Sequence, residues 1–181
     1  MTDDLDTQVN ATIGWFSQIY LGGIPSIITN DSAFLSFICV VTGTEALSGY
    51  RYGDGNLSKR FSKFILNYFP PAYHPYDKDL FELRKKIVHA FSTARFALTH
   101  HHSELHLGTL GKTNIILNAG DFYAAFLFSA QKYFTDLRGS PELKTLLITR
   151  LNSFGGGSIT VLAVTVFDHE PEEGQSDDKK T

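Results

Sequence analysis

The chain has 181 residues, 43% of them hydrophobic, enough to bury one sizeable core in a single domain. Its formal charge of −3 hides an asymmetry: three acids lie in residues 1–6, and six acids against two lysines in residues 168–181, so the body between them carries about +4. That bias suits a polyanionic partner but falls short of the strongly basic footprint of a dedicated DNA-binding domain, and the single cysteine, Cys39, excludes an internal disulfide framework.

The opening residues MTDDLDTQ lack the composition of a secretory or transit peptide, and no continuous apolar stretch approaches the roughly 18 residues of a membrane span. A cytoplasmic protein with no membrane partner is therefore expected. Val9, Ile13, Phe16 and Tyr20 recur at helical spacing and predict a first helix that stops at Gly22-Gly23. Asn30-Asp31-Ser32 supplies N-cap candidates for a second helix over the apolar run Ala33 to Leu47, hydrophobic all round as a central buried helix would be. A third begins after Asn56, carries Phe61, Phe64, Ile65 and Tyr68, and is stopped by Pro70-Pro71.

Asp79 and Glu82 read as a capping-box pair opening a fourth helix, with Leu80, Leu83, Ile87, Phe91, Ala94 and Leu98 at core spacing. Glu104–Leu107 and Asn114–Leu117 predict a hairpin around Gly108 to Thr113. A fifth helix covers about Phe122 to Leu137, and Ser140-Pro141 open a sixth as N-cap and first helical residue. Ile159 to Phe167, rich in β-branched residues, predicts a C-terminal strand, and residues 168–181 an acidic disordered tail. The expected fold is a mostly α bundle of five to six helices over residues 1–167, with a small antiparallel sheet built from the hairpin and the C-terminal strand.

Several chemical signals are weak. Gly111-Lys112-Thr113 ends like a P-loop, but His106 stands where its leading glycine belongs and the context is strand to strand, so a hairpin turn is expected there. His100, His101, His102 and His106 cluster without a nearby cysteine, and polar residues at a helix exit account for them better than a metal site, so no metal or cofactor is expected. Tyr50, Arg51 and Tyr52 beside Gly53-Asp54-Gly55 form a loop able to hold a base between aromatic and cationic groups.

The segment Phe81 to Phe91, FELRKKIVHAF, places three cations and a histidine on a core-facing helix. Cleaving RNA without metal needs a proton acceptor for the 2′-hydroxyl, a donor for the leaving oxygen and positive charge at the phosphoryl oxygens. Histidine suits the first two roles and arginine the third. Arg84 and His89 lie about 140° apart in azimuth and about 7.5 Å apart along the helix axis, so one helix does not aim both at one phosphate. They can equally serve as hydrogen-bonding groups at a helix interface. The run through Arg84, Ile87, Val88, His89 and Phe91 resembles the Arg-x4-His-x-Tyr signature of HEPN-domain proteins, with Phe91 at the tyrosine position.

That resemblance implies a metal-independent endoribonuclease working as a homodimer through paired fourth helices, with Arg84 and His89 as the catalytic pair. Lys85, Lys86, Arg95 and Arg51 would attract RNA, and an antitoxin partner is a further implication. The competing expectation is a non-catalytic dimerisation or nucleotide- and RNA-binding module in which Arg84 and His89 are structural.

Overall fold

A computed structural model of the chain describes residues 2–29 and 33–153, with side chains from Asp4 onward. Helix α1 (Thr2–Phe16) passes through a π turn (Ser17–Leu21) directly into α2 (Gly22–Ile28). The helix therefore continues through Gly22-Gly23, where the sequence predicts a stop. Leu21 and Ile24 are buried beside Val9, Ile13 and Phe16, and burial of this apolar face outweighs the poor helix propensity of the two glycines. Pro25 inside α2 has no N–H to offer the carbonyl of Leu21 four residues earlier. The Tyr123 hydroxyl donates to that oxygen instead, at 2.6 Å.

Helix α3 (Ala33–Tyr52) is the axis of the bundle, packed by α2, α4 (Leu57–Tyr68), α5 (Asp77–Ala90), α6 (Ala119–Gly139) and α7 (Pro141–Ser153). It runs one turn beyond the predicted end at Leu47. Contrary to the sequence expectation, it is long and apolar enough to match a membrane span by length and composition, although over half of its apolar window is buried inside the bundle. Gly43 makes close packing possible, since a Cβ there would lie 2.5 Å from the Phe126 ring and 3.0 Å from that of Tyr20. Helix α4 follows its sequence signals: Asn56 accepts the Lys59 N–H as N-cap, Phe61, Phe64, Ile65 and Tyr68 are buried, and the prolines stop it.

Helix α5 starts at Asp77, two residues before the predicted capping box, and buries Leu80, Leu83 and Ile87. It ends at Ala90, not near Leu98. Phe91 takes the left-handed conformation at φ 50°, and the Ser92 N–H closes the end on the Lys86 carbonyl. The chain then forms β1 (Phe96–Thr99), which brings Phe96 into the core and leaves Phe91 77% exposed. Strand β3 (Asn114–Asn118) is central, antiparallel to β2 (Thr109–Leu110) and parallel to β1, with Leu98 opposite Leu117.

The small sheet beside the bundle is thus mixed. The predicted first hairpin arm is displaced: Ser103–Leu105 is a 3₁₀ turn, and pairing with β3 runs through Leu107, Gly108, Thr109 and Leu110. Asn118 caps α6 by accepting from the Gly120 and Asp121 N–H groups, and the Ser140 hydroxyl caps α7 by accepting from Leu143. The predicted caps Asn30-Asp31-Ser32, the strand Ile159 to Phe167 and the tail 168–181 lie outside the described residues.

The Tyr123–Leu21 hydrogen bond yields a direct test. Tyr123→Phe strands a carbonyl that Pro25 cannot serve, and should lower stability by about 1–2 kcal/mol in urea unfolding without altering the m-value. An unchanged midpoint would mean that water replaces the hydroxyl without loss.

Candidate functional site

Helix α5 presents two different faces at its C-terminal half. Leu83 and Ile87 point inward, while Lys85, Lys86, Val88, His89 and Ala90 are exposed. Arg84 sits between these faces and forms an ion pair through Nε with Glu45 of α3, the two side chains being 17% and 20% exposed. Glu45 is the one carboxylate in the apolar run Ala33 to Leu47, and its partner is what makes that position tolerable. The contact is an ion pair only: Arg84 Nε is buried and makes no hydrogen bond among the described residues. The guanidinium is held against Glu45 by charge attraction in a mostly buried setting. His89 lies in the last turn of α5, exposed, and does not share the direction of Arg84.

Next to His89, the exposed Phe91 ring stacks on Phe34, with centroids 5.7 Å apart and planes inclined by 12°. Lys85 approaches Glu82 only at 3.9 Å, both well exposed, a contact that contributes little to stability. Arg95 is not on the helix. It follows the left-handed Ala94 and pairs with Asp79 of α5 at 3.3 Å, tying the start of the sheet back to the helix.

Arg51 lies elsewhere, at the end of α3. Its Nε donates to the Tyr68 hydroxyl at 2.8 Å, which donates to Asp136 at 2.9 Å, and its guanidinium lies 5.0 Å from the centre of the Tyr52 ring. Burial pushes the Tyr68 hydroxyl up to about 12, with Asp136 adding to the shift and Arg51 opposing it. Lys63 over Tyr52 and Lys132 over Tyr68 complete a cation and aromatic surface remote in sequence from Arg84. Arg51 thus stands on α3, while Lys85 and Lys86 stand on α5.

Two arginines escaped the sequence reading. Arg150 of α7 is 8% exposed, pairs with Asp54, and lies so flat on α3 that a Cβ at Gly49 would come within 2.6 Å of its Nε. Arg60 of α4 donates through Nη1 to the Gly53 carbonyl at 3.3 Å, while its Nε is buried without a hydrogen-bond partner among the described residues. Burial lowers the Arg60 pKa; the Arg150 and Arg84 charges push the same way, and Glu45 and Asp54 oppose them. The spacing of Arg60 and Arg150 carries no motif, and only their burial marks them.

The histidine-rich turn is a hydrogen-bonded clasp. The Asn118 N–H donates to His106 Nδ1 at 3.0 Å, so the neutral ring carries its proton on Nε2, which faces the Tyr73 hydroxyl at 2.8 Å; that hydroxyl donates to the Asp121 carbonyl. Burial lowers the His106 pKa, partly offset by Asp121. Among the described residues no three His, Cys, Asp or Glu side chains gather closely enough to hold a metal ion. Gly111 turns the chain between β2 and β3 with φ +66°, and Lys112-Thr113 complete that turn. Cys39 is half-buried on α3, and burial raises its thiol pKa, the opposite of an activated nucleophile.

Glu45→Ala removes the partner of a mostly buried guanidinium and should cost about 1–3 kcal/mol by thermal or urea unfolding, with Glu45→Gln recovering part of the loss. The His106 pKa is lower folded than unfolded, so its contribution is complete above the ordinary value near 6.5 and is lost as pH falls through the window beneath it. His106→Asn should flatten the fall in melting temperature between about pH 7.5 and about pH 5.5 relative to wild type; an identical slope would show that the clasp does not titrate. Comparison with protein-family models, with curated proteins and with solved structures finds no match to this chain.

Proposed function

We propose that this chain is a HEPN-like, cytoplasmic protein that cleaves RNA without metal as a homodimer, with Arg84 and His89 contributed from paired α5 helices. One observation carries the reading: Arg84 is held by an ion pair with Glu45 in a mostly buried position, on a helix that also exposes His89, Lys85 and Lys86. Glu45 orients the guanidinium in advance, so little freedom is lost when it meets a phosphate. His89, exposed at a helix end, is open to the solvent side from which RNA arrives. In this reading the imidazole accepts the 2′-hydroxyl proton as that oxygen attacks phosphorus, the bond from phosphorus to the 5′-oxygen breaks with a 2′,3′-cyclic phosphate left behind, the departing oxygen takes a proton from the imidazolium so formed or from water, and the guanidinium neutralises charge gathering on the phosphoryl oxygens.

The azimuth between the two side chains is the reason a second subunit belongs to the proposal: its α5 would bring a histidine to the arginine of the first. Lys85 and Lys86 add positive charge along the same helix, and the Phe91–Phe34 stack offers a ring face for a base.

A second reading is favoured by the same ion pair. Glu45 cancels the Arg84 charge within the chain, as in a non-catalytic RNA-binding or dimerisation module, or one that docks an antitoxin.

Incubating the purified protein with RNA in EDTA separates the two. Cleavage should be lost by at least about 100-fold in His89→Ala, with the melting temperature unchanged because the side chain is exposed. Undiminished cleavage in His89→Ala, or none in the wild type, removes the catalytic reading and leaves the binding module.

A further inference from the structure

Away from α5, cations from three helices are fastened around two tyrosine rings. Lys63 of α4 stands 5.3 Å from the centre of the Tyr52 ring and Arg51 of α3 5.0 Å from it, so the two charges lie no more than about twice that distance apart. Lys132 of α6 stands 5.6 Å from the centre of the Tyr68 ring, whose hydroxyl accepts from Arg51 Nε. Asn67 ties the halves together: its side-chain amide donates to the Tyr52 hydroxyl at 2.7 Å, and its carbonyl accepts from Lys132 Nζ at 2.8 Å. The Tyr52 hydroxyl donates in turn to the Lys63 carbonyl. Lys59 lies one turn before Lys63 on the same exposed face of α4 and lengthens the row.

The fold gains little from this arrangement. A cation over an exposed ring contributes about 0.5–1 kcal/mol, and like charges closer than the Debye length of about 8 Å repel. What the contacts do achieve is placement: Arg51 and Lys132 are pinned by hydrogen bonds, and Tyr52, which carries Lys63, is pinned by Asn67. Asp136 shares the surface and accepts from the Tyr68 hydroxyl. Cations held at fixed points suit a polymer whose negative charges recur regularly, as the phosphates of a nucleic-acid strand do. An acidic peptide presents carboxylates wherever its sequence puts them. With cations already over both rings, the contact is with phosphate and not with a stacked base.

We propose that Lys59, Lys63, Arg51 and Lys132 form a track across α4, α3 and α6 that holds the phosphate backbone of an RNA strand, separate from the α5 face. The inference rests on the proposed function for the identity of the polymer, and not for the cleavage chemistry.

The test is fluorescence anisotropy of the full chain with a labelled 2′-O-methyl oligouridylate of about twelve nucleotides, which lacks the attacking hydroxyl. Lys63→Gln with Lys132→Gln, both exposed positions, should weaken binding about tenfold and lower the slope of log affinity against log salt by about 1.4, the loss of two phosphate contacts to a single strand. The pair Lys63→Arg with Lys132→Arg should bind within about twofold of wild type. Lys78→Gln with Lys112→Gln removes the same charge from exposed positions outside the track and should also bind nearly as wild type. Melting temperatures check that each variant is folded. Equal losses in the two glutamine pairs would reduce the effect to net charge and overturn the track, as would wild-type affinity in the first pair, even if His89→Ala abolishes cleavage and the ribonuclease reading stands. Binding that depends on Lys63 and Lys132 in a protein that cleaves no RNA keeps the track and removes the nuclease. Tighter binding of oligoglutamate than of the oligonucleotide, or no binding of the oligonucleotide at all, overturns the RNA track.

Discussion

A twenty-residue helix with apolar side chains on every side is stable in water only when neighbours enclose it, and α3 is enclosed by α2, α4, α5, α6 and α7. The other helices accordingly turn one apolar stripe inward, as α4 does with Phe61, Phe64 and Ile65 and α5 with Leu80, Leu83 and Ile87. Each such side chain, fully buried, contributes about 1.5–3 kcal/mol relative to exposure. The sheet adds Phe96, Ile115 and Leu117 to the core and bridges the end of α5 to the cap of α6.

Enclosure creates an electrostatic problem wherever the central helix carries a charge. Glu45 meets it with Arg84, and the polar end of α3 meets it with Arg150 and Arg60, which serve Asp54 and the Gly53 carbonyl. Stability and side-chain orientation are coupled here through a single carboxylate. The contact that makes Glu45 tolerable also sets the direction of the Arg84 guanidinium. His89, on the outer side of the same helix, is under no such constraint.

The helical part of the fold was legible because period and punctuation agreed: Asn56 and Pro70-Pro71 bound α4, and Ser140-Pro141 open α7. Misreadings occurred where tertiary contacts outweighed local preference. Gly22-Gly23 looked like an end, but burial of Leu21 and Ile24 carries the helix through, with a π turn restoring the phase of the buried face. The repeat through Phe91, Ala94 and Leu98 looked helical, whereas parallel pairing of β1 with β3 depends on residues nearly twenty positions later, which no local pattern reveals. Of the candidate site, Arg84 and His89 were singled out by the segment around them, and the structure gives Arg84 a partner in Glu45 and leaves His89 exposed. Glu45 left one signal, a lone acid in an apolar run, and Arg60 and Arg150 left none.

Gly43 and Gly49 bring neighbours against the bare backbone of α3, the Phe126 and Tyr20 rings at one level and a guanidinium at another. A shaft gripped in this way at two heights can neither slip by a turn nor rotate without driving a side chain into its own main chain. Any rearrangement of the bundle must therefore come from outer parts swinging about a stationary spindle, with the α5 end and the strained segment after it the natural place for that give.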